Sequence, residues 1–332
     1  MAEPAAFKVV REIKREDILF CLAPGMQPER VFAGSSDGKV YEFDCAAEKP
    51  ELAALEGHSG YVTGVVCAEG RVVSGGYDGQ LIWWDAEKRE KIRATKAHQR
   101  WIRSVKIAPD RKTIASIADD MVCRVWDLES GEMKHELRGH EAMTPHHFNS
   151  MLYACAFSPD GKLVATGDKV GHIVIWDVAT GASLATLEAP GMYTWDPKAR
   201  IHSIGGIRSL AFSPDNQLLA VGGMGKVGNI DHLEGKTRVE IFHWQTKERT
   251  AELQGDKSKG LINDLAFHPS GEWLLGAGGS GKGVLLAIDP AQKKIVRDEE
   301  VSAHIHRFLL SDQADRLIAA GHQRLTIFEA QT

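Results

Sequence analysis

The chain has 332 residues, 43% of them hydrophobic and 26% charged, with 33 glycines, a composition that excludes both a disordered chain and a collagen-like one. Forty basic side chains against 45 acidic ones leave a net charge of −5, so no overall basic field recruits nucleic acid or an anionic membrane. A length of this order suits two ordinary domains or one large closed β architecture.

In chain order, the first segment, MAEPAAFKVVREIKREDILFCLAPG, carries charges throughout. Its apolar run from Ile18 to Ala23 is too short for the core of a signal peptide, and no later stretch approaches the ~18 apolar residues of a membrane span. A cytoplasmic protein is therefore expected. Phe7 to Ile13 is β-rich. Then a phrase recurs: VYEFD ends at Asp44, LIWWD at Asp85, CRVWD at Asp127 and IVIWD at Asp177, with looser echoes at Gln245 (EIFHWQ), Asp289 (LLAID) and Glu329 (LTIFE). The period is about 42 residues, with two longer intervals. Each period holds an apolar run ending in a turn (KIAPDR, AFSPDG, AFSPDN, AFHPSG), a second apolar run (KLVATG, QLLAVGG, EWLLGAG), a tight turn and the closing phrase. No segment keeps a 3.6-residue apolar stripe, which predicts an all-β chain almost without helix. Five cysteines (Cys21, Cys45, Cys67, Cys123 and Cys155) show no C-x-x-C spacing and read as buried reduced thiols.

At these residues the chain resembles the WD-repeat (WD40-type) β-propeller family. Gly57-His58 precedes GYVTGVVCA, RVVSGG, YDGQ and LIWWD, which match the family's strands a, b and c; the next repeat has Ala97-His98, Ser116, Asp120, Trp126 and Asp127. The resemblance implies one domain over residues 1–332: a seven-bladed propeller of four-stranded antiparallel blades, with repeats ending near 44, 85, 127, 177, 245, 289 and 329. The last repeat ends without an outer strand, so residues 6–15 are expected to supply it and close the ring.

His58, Ser74 and Asp78 have the residue types of a hydrolytic triad. The resemblance gives them another role: with Trp84 they form a buried hydrogen-bond chain, repeated as His98, Ser116, Asp120 and Trp126. In the fourth repeat His140, Thr166 and Trp176 match but Val170 holds the Asp position, and in the first Ala33 and Phe43 replace Ser and Trp, so both chains are expected to be incomplete. Gly223 to Gly228 satisfies G-x-G-x-x-G, and Gly276 to Gly283 comes within one residue of a phosphate-binding loop. Neither is followed by the helix that such a loop needs, so turns requiring positive φ explain the glycines better. His140, His146, His147, His304 and His306 lack the spacing of a metal site, and neither metal nor cofactor is expected.

The longer intervals place insertions at Glu141 to Ser150, Pro190 to Gly205 and Met224 to Thr237. In a propeller these d–a and b–c loops emerge on one face, the top, beside blades 4 and 5. The candidate partner-binding residues are Tyr61, Tyr77, Arg100, Trp101, Met143, His146, His147, Phe148, Tyr193, Trp195, Arg200, His202, Lys226 and His232, rich in the aromatic and arginine anchors of binding surfaces. The expected function is a non-enzymatic scaffold, monomeric by default, that binds a protein or peptide and neither nucleic acid nor membrane. The alternatives are that the inserted aromatics only pin their own loops, or that a small ligand or metal occupies a receptor or hydrolase-like site at the top mouth of the central channel.

Overall fold

The computed structural model describes residues 6–48, 52–198, 201–231 and 233–331. Among them the backbone is almost wholly extended, and the one helical piece is a 3-10 turn at Pro190–Met192. The sheet over residues 62–96 shows how sequence becomes blade. Its inner strand Val62–Ala68 is buried along its whole length, Arg71–Gly76 and Gln80–Asp85 nearly so, and the outer strand Lys91–Lys96 is largely exposed. Apolar runs thus go inside, where both faces are covered, and a polar strand closes the rim. The Asp that ends each WD phrase makes the next turn: Asp85 Oδ1 accepts the N–H groups of Glu87 and Lys88, and Asp127 Oδ1 those of Glu129 and Ser130.

The core lies between sheets rather than within one. Val66 and Trp83 pack with Ile102, Ile114 and Trp126 of the following repeat, and the Trp83 indole N–H donates across the gap to the Leu128 carbonyl at 2.8 Å. Close approach is built in at Gly64, where a Cβ would lie 2.4 Å from the Val105 nitrogen. All five cysteines are free and buried. No helix among the described residues is long and apolar enough to cross a membrane.

The strands form a β-propeller whose antiparallel blades are four-stranded in five sheets; a sixth sheet has six strands, and a two-stranded hairpin joins Tyr193–Asp196 to His202–Gly205. Six blade-like sheets therefore stand where the repeats predict seven separate ones. The difference comes from Phe7–Pro24, a single 18-residue strand that belongs to both ends of the chain. From Phe7 to Ile18 it pairs with Arg316–Ala330, and from Leu19 to Pro24 with Arg30–Ser35, so hydrogen bonding merges the first and last repeats. Arg316–Ala330 itself doubles back: Ala330 N donates to Asp315 O at 2.7 Å, and Gln323 takes φ 59 at the bend.

Candidate functional site

The triad-like residues form buried hydrogen-bond chains. The Trp84 indole N–H donates to Ser74 Oγ (2.8 Å), Ser74 lies 2.9 Å from His58 Nε2, and His58 Nδ1 lies 2.9 Å from Asp78 Oδ2. The His58 and Asp78 side chains are 1% and 6% exposed and Ser74 is fully buried, so no substrate reaches the hydroxyl. Burial works against the Asp78 carboxylate, but hydrogen bonds from His58 and from backbone N–H groups outweigh it and hold the pKa below its ordinary value. His98, Ser116, Asp120 and Trp126 repeat the arrangement.

The fourth repeat corrects the sequence reading. Its chain is complete, because Asp168, two positions before Val170, accepts from His140 Nδ1 at 2.9 Å, while Trp176 donates to Thr166. The same carboxylate also takes the N–H groups of Val170 and His172, both at 3.0 Å. A carboxylate at the end of the strand can therefore do the work of one in the turn. Asp168→Ala is expected to cost about 2–4 kcal/mol in denaturant unfolding, since three donors lose their acceptor, whereas Val170→Ala should cost under about 1 kcal/mol.

A second correction concerns the glycines. Gly279 and Gly281 do take positive φ (130 and 99) in the turn between Leu274–Ser280 and Lys282–Asp289. Gly223, Gly225 and Gly228 do not. At Gly223 the constraint is space, since a Cβ would lie 2.7 Å from the Gly206 carbonyl oxygen and 2.8 Å from Met192 Sδ. Among the described residues no three His, Cys, Asp or Glu side chains are placed to hold a metal ion.

The three insertions meet. His146 Nδ1 lies 3.0 Å from the Tyr193 hydroxyl, the His146 ring stacks on Trp195 at 4.6 Å, and Phe148 contacts Trp195 and His202, both at 5.3 Å. Val227 N donates to Thr194 Oγ1 across from the third insertion. His146, Phe148, Tyr193 and Trp195 are accordingly only half-exposed, while Met143, His147, His202 and Lys226 face solvent. Arg200 and His232 lie outside the described residues. On the other side of the mouth, Tyr61, Tyr77 and Trp101 form a continuous run: Phe20 to Tyr61 at 5.5 Å, Tyr61 to Tyr77 at 5.2 Å, and Tyr77 stacked on Trp101 at 4.5 Å with an interplanar angle of 2°. Arg100, beside Trp101, is exposed. Arg103 braces the run from below, donating to the Tyr77 hydroxyl at 2.6 Å and, bidentately, to Asp119.

The most regular feature of this face is one the sequence reading missed. Inner strands skip a residue in their register at Phe20, Thr63, Arg103, Tyr153, Asn263 and His306. Arg208 does the same, since its N–H and Ser209 both address Gly222. These β-bulges turn one side chain per repeat into the channel, and all seven line a constriction of about 120 Å³ together with Tyr77 and Arg307. Above it opens a cavity of about 910 Å³ bounded in part by Lys257, Lys259, Lys282, Glu300 and His304. A signal was present: each bulge residue follows a buried aliphatic residue, namely Leu19, Val62, Ile102, Leu152, Ile207, Ile262 or Ile305.

Basic side chains gather around the channel, two of the arginines paired with Asp119 and Asp264. Burial lowers the pKa of Lys106, and the nearby Arg307 lowers it further; burial and Arg208 do the same to Lys169. Arg103, by contrast, is penalised by burial but held charged by Asp119. The arrangement supplies anchors and charges for binding.

The family pattern described as WD domain, G-beta repeat matches residues 49–85, 89–127, 131–177, 197–227 and 247–285, together more than half of the chain. The chain is 26% identical over 257 residues to telomerase protein component 1 of Mus musculus, covering 77% of this chain and 8% of that protein. It is 32% identical over 155 residues to apoptotic protease-activating factor 1 of Rattus norvegicus, covering 47% and 11%. With the guanine nucleotide-binding protein subunit beta of Oryza sativa subsp. japonica it shares 27% over 228 residues, covering 66% and 53%. The matched region is thus a small part of the first two proteins and about half of the third.

Proposed function

Because the chain belongs to the WD domain, G-beta repeat family, we propose that it is a non-enzymatic scaffold presenting its channel-mouth face to a protein or peptide partner. In this reading the six-stranded sheet acts as first and last blades joined by Phe7–Pro24, and the repeats close one ring. The observation that carries the reading is the aromatic run. Trp101 is 50% exposed and Tyr61 45% exposed, yet each is held by ring contacts to a rigid framework. Large rings fixed in place and open to water offer contact area at little ordering cost, which is what a binding anchor requires. The inserted loops, braced by His146, Phe148, Tyr193 and Trp195, form the opposite rim, with Met143, His147, His202 and Lys226 toward solvent. Two of the similar proteins are by name a component and a subunit, which accords with a role in assemblies.

The test is partner capture from lysate with the wild type, with Tyr61→Ala/Trp101→Ala and with Tyr193→Ala/Trp195→Ala. The first double variant is expected to keep its melt and lose its direct partner by at least about tenfold. The second is expected to melt lower as well, since it removes rings that hold the loops together. Equal recovery of every partner by a folded Tyr61→Ala/Trp101→Ala protein counts against the surface.

A further inference from the structure

The constriction beneath the channel mouth is lined by three guanidinium groups, Arg103, Arg208 and Arg307, and by no carboxylate. Arg103 and Arg307 turn back onto Asp119 and Asp264, at 2.7 and 2.8 Å. Arg208 makes no ion pair among the described residues. Its Cζ lies 3.6 Å from the Tyr153 ring centroid, it gives one long hydrogen bond of 3.3 Å to the Gly205 carbonyl, and its Nε is sealed from water without an acceptor. His306, another lining residue, likewise has a buried Nε2 without a partner. A guanidinium placed in a narrow space with donors unspent is costly unless an acceptor arrives.

We propose that this constriction binds a doubly charged oxyanion of the phosphate class, with Arg208 as its principal ligand and Arg103 as the second. The volume, about 120 Å³, is that of roughly four waters and matches a single tetrahedral oxyanion. Charge sets the class. Arg208 is unmatched, and Lys106 and Lys169, which lie near Arg307 and Arg208, make no ion pair among the described residues, so more than one positive charge awaits neutralisation. A carboxylate would cancel one; a phosphate dianion cancels two and can accept from the Arg208 fork and from the Arg103 N–H groups not spent on Asp119 and Tyr77. Inorganic phosphate, a small phosphomonoester and a phosphoryl group on a polypeptide all carry this chemistry. The site rests on the channel residues and does not depend on the partner surface described above.

Calorimetric titration of the full chain with inorganic phosphate at constant ionic strength tests it. Saturable one-to-one binding is expected, weakened at least tenfold in Arg208→Gln, and tightened in Asp119→Asn, which frees Arg103 from its carboxylate. Competition by a phosphoserine peptide assigns the group to a polypeptide, and competition by glycerol phosphate alone assigns it to a small molecule. No saturable binding by the wild type, or equal binding by an Arg208→Gln protein that melts normally, overturns the proposal. Should Arg208→Gln fail to fold, unchanged or weaker phosphate binding by Asp119→Asn overturns it instead.

Discussion

A chain lacking residues 1–15 is expected to melt more than about 10 °C below the intact protein, or to lose cooperative unfolding altogether. The deletion removes the half of Phe7–Pro24 that pairs with Arg316–Ala330 at Phe7, Lys8, Val9, Arg11, Glu12, Ile13 and Lys14. With it go Phe7 and Ile13, which pack on the clusters around Leu317 and Leu325, and Glu12, which accepts from Arg324 at 2.9 Å and Ser302 at 2.7 Å. Arg11 is lost too, and it donates to the carbonyls of Cys45 (3.0 Å), Ala47 and Glu48 (2.9 Å) in the first repeat. At about 0.5–1.5 kcal/mol per hydrogen bond and about 1.5–3 kcal/mol per buried apolar side chain, the loss is on the order of 5–10 kcal/mol, comparable to a whole domain's stability. The bared edge of Arg316–Ala330 would also present unpaired backbone groups for association. Circular dichroism melts and size-exclusion chromatography read both effects; a melt within about 3 °C of the intact chain would show that the ring closes without this strand.

What made the repeats legible was redundancy of physical role. Trp84, Trp126 and Trp176 each donate to a Ser or Thr hydroxyl, and the Asp that follows each one builds a turn, so the same short phrase reappears wherever the same local problem is solved. Sheet membership was harder to read. Residues 8–17 are mostly polar and alternate weakly in burial, so nothing local says that one strand runs unbroken through two repeats. Asp168 escaped because alignment by spacing asks for a carboxylate at one position, whereas the His140 ring needs only an acceptor within reach of Nδ1. The channel ring escaped for the opposite reason. Phe20, Thr63, Arg103, Tyr153, Arg208, Asn263 and His306 share a position but only Arg103 and Arg208 share a residue type, so a search for recurring residue types passes over them. The inserted loops were visible as extra length, but length does not say whether an aromatic side chain turns outward; His146, Phe148, Tyr193 and Trp195 largely satisfy one another.

Between pH 6.5 and 4 the protein is expected to lose stability steadily, and His304→Gln is expected to make that slope shallower. His304, His306 and His322 stack at the channel mouth with centroids 4.7, 4.9 and 5.0 Å apart. Phe20 faces His306, Arg307 lies nearby, and Asn263 Nδ2 lies 2.6 Å from His304 Nε2, to which it donates, keeping that nitrogen unprotonated. Burial, then the neighbouring His322, pushes the His304 pKa down from 6.5 to about 4; burial and the adjacent positive groups lower His306, and burial lowers His322. A base whose pKa is depressed by folding takes up its proton in the unfolded chain first. The stabilisation is therefore complete above about 6.5 and is lost as pH falls toward 4, by roughly 3 kcal/mol for His304 alone. Of the carboxylates held low by hydrogen bonds, Asp78 and Asp120 start from 3.8 and Glu12 and Glu136 from 4.5, and each loses its contribution only below that value, so the two windows overlap only below about 4.5. His306, His322 and His98, also lowered by burial, keep the rest of the slope in the variant. Glutamine at 304 retains an acceptor for Asn263 and cannot titrate. Urea unfolding at pH 7.5, 6, 5 and 4.5 should then show a falling midpoint for the wild type and a shallower fall for His304→Gln; parallel curves would place the proton uptake elsewhere.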